Sequence, residues 1–329
     1  MISPSGTIIE SDFRPAWWLR NRHAQTIYPV WFRRQPQPET ITEILELPDG
    51  DFIDLVWTTR PPGPIVILLH GLEGGICSHY AKGILQTIHD AGWTGVLMHF
   101  RGCSGRHNRL ARSYHSGDTC DLKYLIDQLR QRYPDSPLAA VGISLGGNVL
   151  LKYLGESGEA SLLNAAMAIS VPFDLANGAR ALDKGFARVY QRHLITRLAD
   201  KIRDKFRKQK SPINLNKLDK WNNFYLFDHN VTAPLHAFKS AGEYYRLSSS
   251  RQFLKNITIP TLILHSLDDP FMTPAAIPTE KELSPSCLLE LTKKGGHVGF
   301  IYGKYPGNEN YWIEEKILSF FNKHLGSVN

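Results

Sequence analysis

Three features of the 329-residue chain predict an α/β fold with a mostly parallel central sheet, helices on both faces and one helical insertion. Short, wholly apolar, β-branched runs alternate with amphipathic stretches from Pro64 to Asp174. That alternation resumes after residue 255 and closes on a long amphipathic segment. Residues 175–255, between the two parts, contain no apolar run of strand length. A strand buried on both faces reads as a continuous apolar run, and repeated β-α units joined by short loops build a parallel sheet covered on both sides.

The elements follow in order. Residues 1–40 form an arm with no evident regular period, and Trp17, Trp18 and Trp31 stand among its Arg and Pro residues. So many aromatic rings are seldom left in water, so the arm is expected to pack on the core. EILELPDGDFIDLVWT places two apolar stretches around Pro48-Asp49-Gly50, the signature of a β-hairpin. PIVILLH is a buried strand, YAKGILQTIHDAG a helix closed by Gly92, and TGVLMHF a second strand. DLKYLIDQLRQRYP carries Leu122, Leu125, Ile126 and Leu129 on one helical face, with Pro134 past its end. PLAAVGIS, GGNVLLKYLGE and AAMAISVPFD continue as strand, helix and strand. TIPTLILHS and SCLLELTKKGG return to the sheet, and ENYWIEEKILSFFNKHL is the closing helix. The predicted organisation is therefore an arm (1–40), a core (41–174 and 256–329) and a helical lid or cap (175–255).

Composition narrows the function. Hydrophobic residues make up 42% and charged residues 21%, which excludes a disordered or fibrous chain. The four cysteines, Cys77, Cys103, Cys120 and Cys287, show neither C-x-x-C pairing nor zinc-like spacing. The first residues lack the basic start and apolar run of a signal peptide, and no stretch approaches the roughly 18–20 apolar residues of a membrane span. A soluble cytoplasmic protein is expected. The net charge of +7 is localised: residues 180–220 alone carry +9, leaving −2 for the remainder. Without a recognition motif this basicity does not indicate nucleic acid.

The chemistry is carried by Gly142-Ile143-Ser144-Leu145-Gly146, set between a strand and a helix. That context makes G-x-S-x-G a nucleophile elbow, whose sharp turn needs Gly142 and Gly146 because neighbouring backbone leaves no room for a Cβ. A serine hydroxyl needs a base, and the base an orienting acid, in the chain order Ser, Asp, His. Asp268 and Asp269 follow a late strand; Asp269, directly before Pro270, is preferred, with Asp268 as the alternative. His297, in the glycine-rich loop before the final helix, is the base. The backbone N–H groups of Leu72, in HGLEGG, and Leu145 are the candidate oxyanion donors. HExxH, P-loop and dinucleotide-binding signatures are absent, so no metal or organic cofactor is called for.

In the insertion, Phe186, Tyr190, Leu194, Leu198, Ile202 and Phe206 recur at every fourth position, with Arg and Lys opposite. The favoured reading is a lid helix covering an acyl pocket and leaving its charges in water. The alternative is transient docking on an anionic membrane surface.

Together with NRHAQTIYP (21–29), HGLEGG, FRGCSGR (100–106), YHSGDTCDL (114–122), GISLGGNVLLKYLGE, LDDPF and GGHVGF, these residues resemble one group of the α/β-hydrolase superfamily. That group joins bacterial YheT-type esterases, plant EMB8-type proteins and animal lipid-hydrolysing relatives, and the resemblance covers nearly the whole chain. It implies an α/β-hydrolase fold and a charge relay at Ser144, Asp269 and His297. The implied activity is that of a serine carboxylesterase acting on small-molecule esters with short- to medium-chain acyl groups, acylglycerols among them. An acyltransferase or thioesterase using the same triad, or a lipid-binding regulatory protein with an idle one, are the competing readings. Asn21, His23, His115 and Asp118 are expected to make buried hydrogen bonds that anchor the arm or line the pocket.

Overall fold

The N-terminal arm, read as irregular, is in fact built of regular elements. The computed structural model describes residues 5–59, 63–207 and 209–326; the first four residues of the arm and Lys208 of the basic segment lie outside them. Strand β1 (Thr7–Glu10) adds to one edge of the sheet, and after a 3₁₀ turn at Trp17–Leu19 comes α1 (Arg22–Phe32). Helix α1 starts where the Asn21 side chain accepts hydrogen bonds from the His23 and Ala24 amides. Its Pro29 hides the helix from inspection, because proline lacks the N–H that a helix interior uses.

The hairpin of β2 (Thr40–Glu46) and β3 (Phe52–Thr58) turns at Gly50, whose φ of +81° suits a residue without a Cβ. Next come β4 (Ile65–Leu69), α2 (Ala81–Asp90), β5 (Thr94–Met98), α3 (Cys120–Arg132), β6 (Leu138–Ile143), α4 (Leu145–Ser157) and β7 (Ala165–Ile169). The insertion holds α5 (Leu175–Leu182), α6 (Ala187–Lys205), the short α7 (Phe224–Phe227) and α8 (Ala233–Leu235) on either side of a π turn at Asp228–Thr232, and α9 (Ala241–Ser248). The core resumes with β8 (Thr261–Ser266) and β9 (Cys287–Thr292), then a small hairpin, β10 (Ile301–Gly303) and β11 (Glu309–Tyr311), and the closing α10 (Trp312–Leu325).

Nine strands form one sheet in the order β1-β9-β8-β7-β6-β4-β5-β3-β2, parallel except where β3 runs against β5 and β2. Along β4, Ile65, Ile67 and Leu69 join one core with α3 and α4, while Val66 and Leu68 join the other with α2 and α10. Both faces are therefore dry, which is why the strand reads as a continuous apolar run. The chain leaves β4 for β5 on one side and later places β6 on the other. Such a topological switch opens a crevice at the carboxyl ends of the strands, where ligands bind in open α/β sheets.

The packing of α6 follows the expected stripe in part: Leu194, Leu198 and Ile202 line a cavity and Phe206 is buried, but the stripe fails at its start. Positions four apart drift by about 40° per step around a helix of 3.6 residues per turn, so the row cannot face one way throughout. Phe186 is half exposed, whereas the ridge of Gln191, Ile195, Ala199 and Ile202 is buried. Nor are all the charges in water. The Arg197 guanidinium donates to the Glu73 carbonyl at 2.9 Å, the Lys201 ammonium to the Glu73 carboxylate at 2.8 Å, and the Lys205 ammonium to Asn108 Oδ1 at 2.7 Å. Basic residues at those positions tether the insertion to the core. No helix among the described residues is long and apolar enough to cross a membrane.

Candidate active site

β6 ends at Ile143 and α4 begins at Leu145, leaving Ser144 alone in the turn at φ 51° and ψ −115°. A non-glycine residue with positive φ costs on the order of 1–3 kcal/mol and persists only where its surroundings dictate it. Here they do. A Cβ on Gly142 would lie 2.5 Å from the Gly146 carbonyl oxygen, and one on Gly146 would lie 2.5 Å from that of Leu69. The Ser144 amide donates to the Ile169 carbonyl at 2.8 Å, fastening the turn to β7.

Two distant loops converge on this hydroxyl. His297 Nε2 lies 2.9 Å from Ser144 Oγ, and its Nδ1 lies 2.7 Å from Asp269 Oδ2. With the proton on Nδ1 facing the carboxylate, Nε2 presents its lone pair to the hydroxyl. Asp269 is 3% exposed, and its other oxygen accepts the Phe271 amide at 2.8 Å, so the carboxylate is held without access to bulk water. The Phe271 ring lies flat on the imidazole, 3.9 Å between centroids and 6° between planes. Asp268 does something else. Its Oδ1 accepts the Ser266 hydroxyl at 2.6 Å and the Gly295 and Gly296 amides at 3.0 and 2.9 Å. Of the two adjacent carboxylates, one meets the imidazole and the other clamps the loop that carries it.

Leu145 is the first residue of α4, where an N–H has no intrahelical partner and the helix dipole favours negative charge. Leu72 follows β4 and lines the same cavity as Ser144, Leu145 and His297. Residues to which the sequence reading gave no role hold its loop. His70 Nε2 accepts the Phe100 amide at 3.1 Å, so its Nδ1–H is free to donate to the Gly71 carbonyl at 2.7 Å. Burial lowers the His70 pKa to about 3, which keeps that neutral tautomer in place. Tyr80 accepts the Gly71 amide at 2.8 Å. Glu73, at a φ of 52°, is gripped on three atoms: Tyr114 accepts its amide, Arg197 binds its carbonyl, and Tyr114 and Lys201 both donate to its carboxylate. Tyr114 belongs to the YHSG motif and Glu73 to HGLEGG, so position in a motif was the only signal that marked them.

Of the remaining motif residues, Asn21 is exposed and caps α1 instead of making a buried hydrogen bond, while His23 and His115 pack against aromatic rings. His23 Nδ1 lies 3.0 Å from the Tyr190 hydroxyl, and Asp118 accepts from Arg112 at 2.6 Å. His115, Asp118 and His236 bring one ligating atom each within 4.8 Å of the others. Within this cluster Arg112 pairs with Asp118, and the Gly117 amide donates to His115 Nδ1 at 3.1 Å. Above Ser144, the insertion walls an apolar cavity with Leu175, Leu182, Leu194, Leu198, Ile202 and Val231.

A hydroxyl at a sharp strand-to-helix turn, in hydrogen-bonded series with an imidazole and a buried carboxylate beside an apolar cavity, is the arrangement of a serine hydrolase, and the relatives that follow make the class carboxylic ester hydrolase. The chain belongs to the alpha/beta hydrolase fold family, whose sequence profile matches residues 64–304. It is 40% identical over 321 residues to the YheT protein of Escherichia coli (strain K12), covering 96% of this chain and 94% of that one. It is 30% identical to the protein named Phospholipase ABHD3 of Bos taurus, covering 92% and 77%. Among solved structures, the Pyrococcus furiosus esterase Pf2001 superposes with a TM-score of 0.58 at 16% identity, covering 98% of this chain and all of that one, a likeness of fold alone.

Proposed function

We propose that the protein is a serine carboxylesterase that hydrolyses esters of short- to medium-chain acyl groups, acylglycerols included, through an acyl-enzyme. The reading rests on one observation, the continuous Ser144–His297–Asp269 hydrogen-bonded series. Ser144 Oγ attacks the ester carbonyl while His297 Nε2 takes its proton, and the same nitrogen returns it to the departing alcohol. Water, deprotonated by His297, then releases the acid. Asp269 keeps the imidazole in the required tautomer and stabilises its charged form, while the Leu72 and Leu145 amides receive the carbonyl oxygen as it becomes negative. The apolar walls of the cavity suit an acyl chain, and a relative named as a phospholipase fits a lipid ester. The four cysteines are all free, in keeping with a reducing, cytoplasmic setting.

A second reading of the insertion has its own support. Phe186 and Val189 are 51% and 56% exposed beside the exposed Arg188 and Arg192, a combination suited to brief contact with an anionic lipid surface. Flotation with anionic liposomes that is the same at low and high salt counts against it.

A fluorophosphonate probe followed by peptide mapping tests the main reading, together with p-nitrophenyl esters of two to sixteen carbons. Labelling at Ser144, and loss of about 10⁶ in kcat on Ser144→Ala, are expected. An unlabelled, folded protein would overturn the reading, and ester formation exceeding hydrolysis when an alcohol is added would recast it as acyl transfer.

A further inference from the structure

The NRHAQTIYP segment of the arm has no part in the chemistry above, yet it lies against the loop that carries His297. That loop runs through the left-handed region at φ 61° in Gly296, which glycine adopts freely, and is strained at Val298 and Phe300, with φ of 58° and 46°. Positive φ at a β-branched residue and at a phenylalanine needs enforcement from outside the loop. On the core side, Asp268 takes the Gly295 and Gly296 amides, and Ser170 Oγ takes the Val298 amide at 3.1 Å. On the other side stands α1. The His297 amide itself donates to Thr26 Oγ1 at 2.9 Å, and that hydroxyl donates in turn to the Arg22 carbonyl at 2.8 Å.

Gln25 completes the seam. It is wholly buried, its Oε1 accepts the Ile301 amide at 2.8 Å, and its Nε2 donates to the Ile301 and Leu19 carbonyls, each at 2.9 Å. The fit is tight: a Cβ on Gly296 would sit 2.5 Å from the Arg22 carbonyl oxygen, and one on Gly299 would sit 2.4 Å from that of Gln25. Pro29, four residues beyond Gln25, has no N–H to offer that carbonyl, which leaves it free to face Gly299.

We infer that Thr26 is a positioning residue for the hydrolytic reaction: its hydroxyl, delivered by the arm, sets the place of the His297 backbone and so the reach of Nε2 to Ser144. This rests on the acyl-transfer reading of Ser144. Thr26→Val keeps the shape of the side chain, removes the acceptor and strands a buried amide. Displacement of a base by a fraction of an ångström slows the reaction more than it weakens binding, so Thr26→Val is expected to lower kcat by about 10- to 100-fold, with KM within about twofold.

Fluorophosphonate labelling of Ser144 should slow in the same proportion as kcat/KM. Thr26→Ser, which restores the hydroxyl, should recover both. Melting temperatures of all variants separate positioning from folding, and Thr26→Ala carries the same expectation should the valine variant fail to fold. A folded Thr26→Val or Thr26→Ala protein with wild-type kcat and labelling rate overturns the inference alone. A serine variant as slow as the valine variant overturns it too. A folded wild-type protein that neither labels nor hydrolyses overturns the hydrolase reading, and this inference with it.

Discussion

Replacing Lys201 by methionine tests whether the insertion braces the loop carrying the Leu72 amide. The ammonium reaches that loop from α6 and meets the Glu73 carboxylate at 2.8 Å, with side-chain exposures of 14% and 6%. Burial works against the charged amine, but Cys103 and Glu73 beside it outweigh burial and raise the Lys201 pKa above the usual lysine value. Cys103 Sγ accepts a hydrogen bond from the same nitrogen at 2.9 Å, and burial pushes its thiol up to about 11. Lys201→Met therefore leaves a buried carboxylate held only by the Tyr114 hydroxyl among its side-chain partners in the described residues. Removing one member of a buried pair costs about 3–5 kcal/mol, and the residual exposure of Lys201 places this one near 3 kcal/mol.

The double variant Glu73→Gln/Lys201→Met strands no charge and should cost only about 1 kcal/mol, the scale of an ordinary hydrogen bond. Urea unfolding of the wild type, both single variants and the double, at one pH and salt concentration, measures the coupling. In parallel, kcat of Lys201→Met should fall about tenfold, because an oxyanion donor contributes roughly 3 kcal/mol only when it is correctly placed. Additive single effects, or an unchanged kcat in a destabilised Lys201→Met protein, would refute the bracing argument.

Three further outcomes are expected. Asp269→Asn should lower kcat by about 10⁴ through the wrong imidazole tautomer; Asp268→Asn should cost far less, and equal losses would reverse the assignment of the two carboxylates. Asp228 is buried on the cavity wall, where burial raises its pKa to about 6 despite hydrogen bonds from Thr232 and Tyr245. Its native form holds a proton more tightly than the unfolded chain, so its presence favours folding most at low pH and costs stability as pH rises from about 4 to 6. Asp228→Asn should therefore gain about 2 kcal/mol relative to wild type between pH 4 and pH 8, and a difference that is flat across that range in chemical denaturation would contradict it. Gly146→Ala drives a Cβ into the Leu69 carbonyl, a backbone atom that cannot rotate away; fluorophosphonate labelling should vanish, and full labelling would show that the turn is looser than its geometry.

Much of the core was legible because its signals are local. β4, β6 and β8 are continuous apolar runs, α2 and α3 keep a 3.6-residue period, and Gly142 and Gly146 bracket the serine at two-residue spacing. Each of these follows from a side chain meeting its own backbone or the next turn. Helix α1 escaped because it holds itself by an Asn21 cap and by contacts with residues more than 270 positions away, none of which imposes a period. The stripe on α6 was legible at Leu194, Leu198 and Ile202, which line the cavity, but not at Phe186, because a four-residue repeat and a 3.6-residue helix part company over five turns.

By itself, the sequence determined the strand and helix order of the core from β2 to β9 and the relative order of Ser144, Asp269 and His297, since these rest on periodicity and on the steric needs of one sharp turn. Only the tertiary structure decided which of two adjacent carboxylates meets the imidazole, which lysines turn inward, and that the arm supports the His297 loop. Neighbouring residues of like chemistry are equivalent to any local rule. What separates them is the direction each side chain takes once strands far apart in the chain lie side by side, where a shift of one residue exchanges a partner at 2.7 Å for a different one.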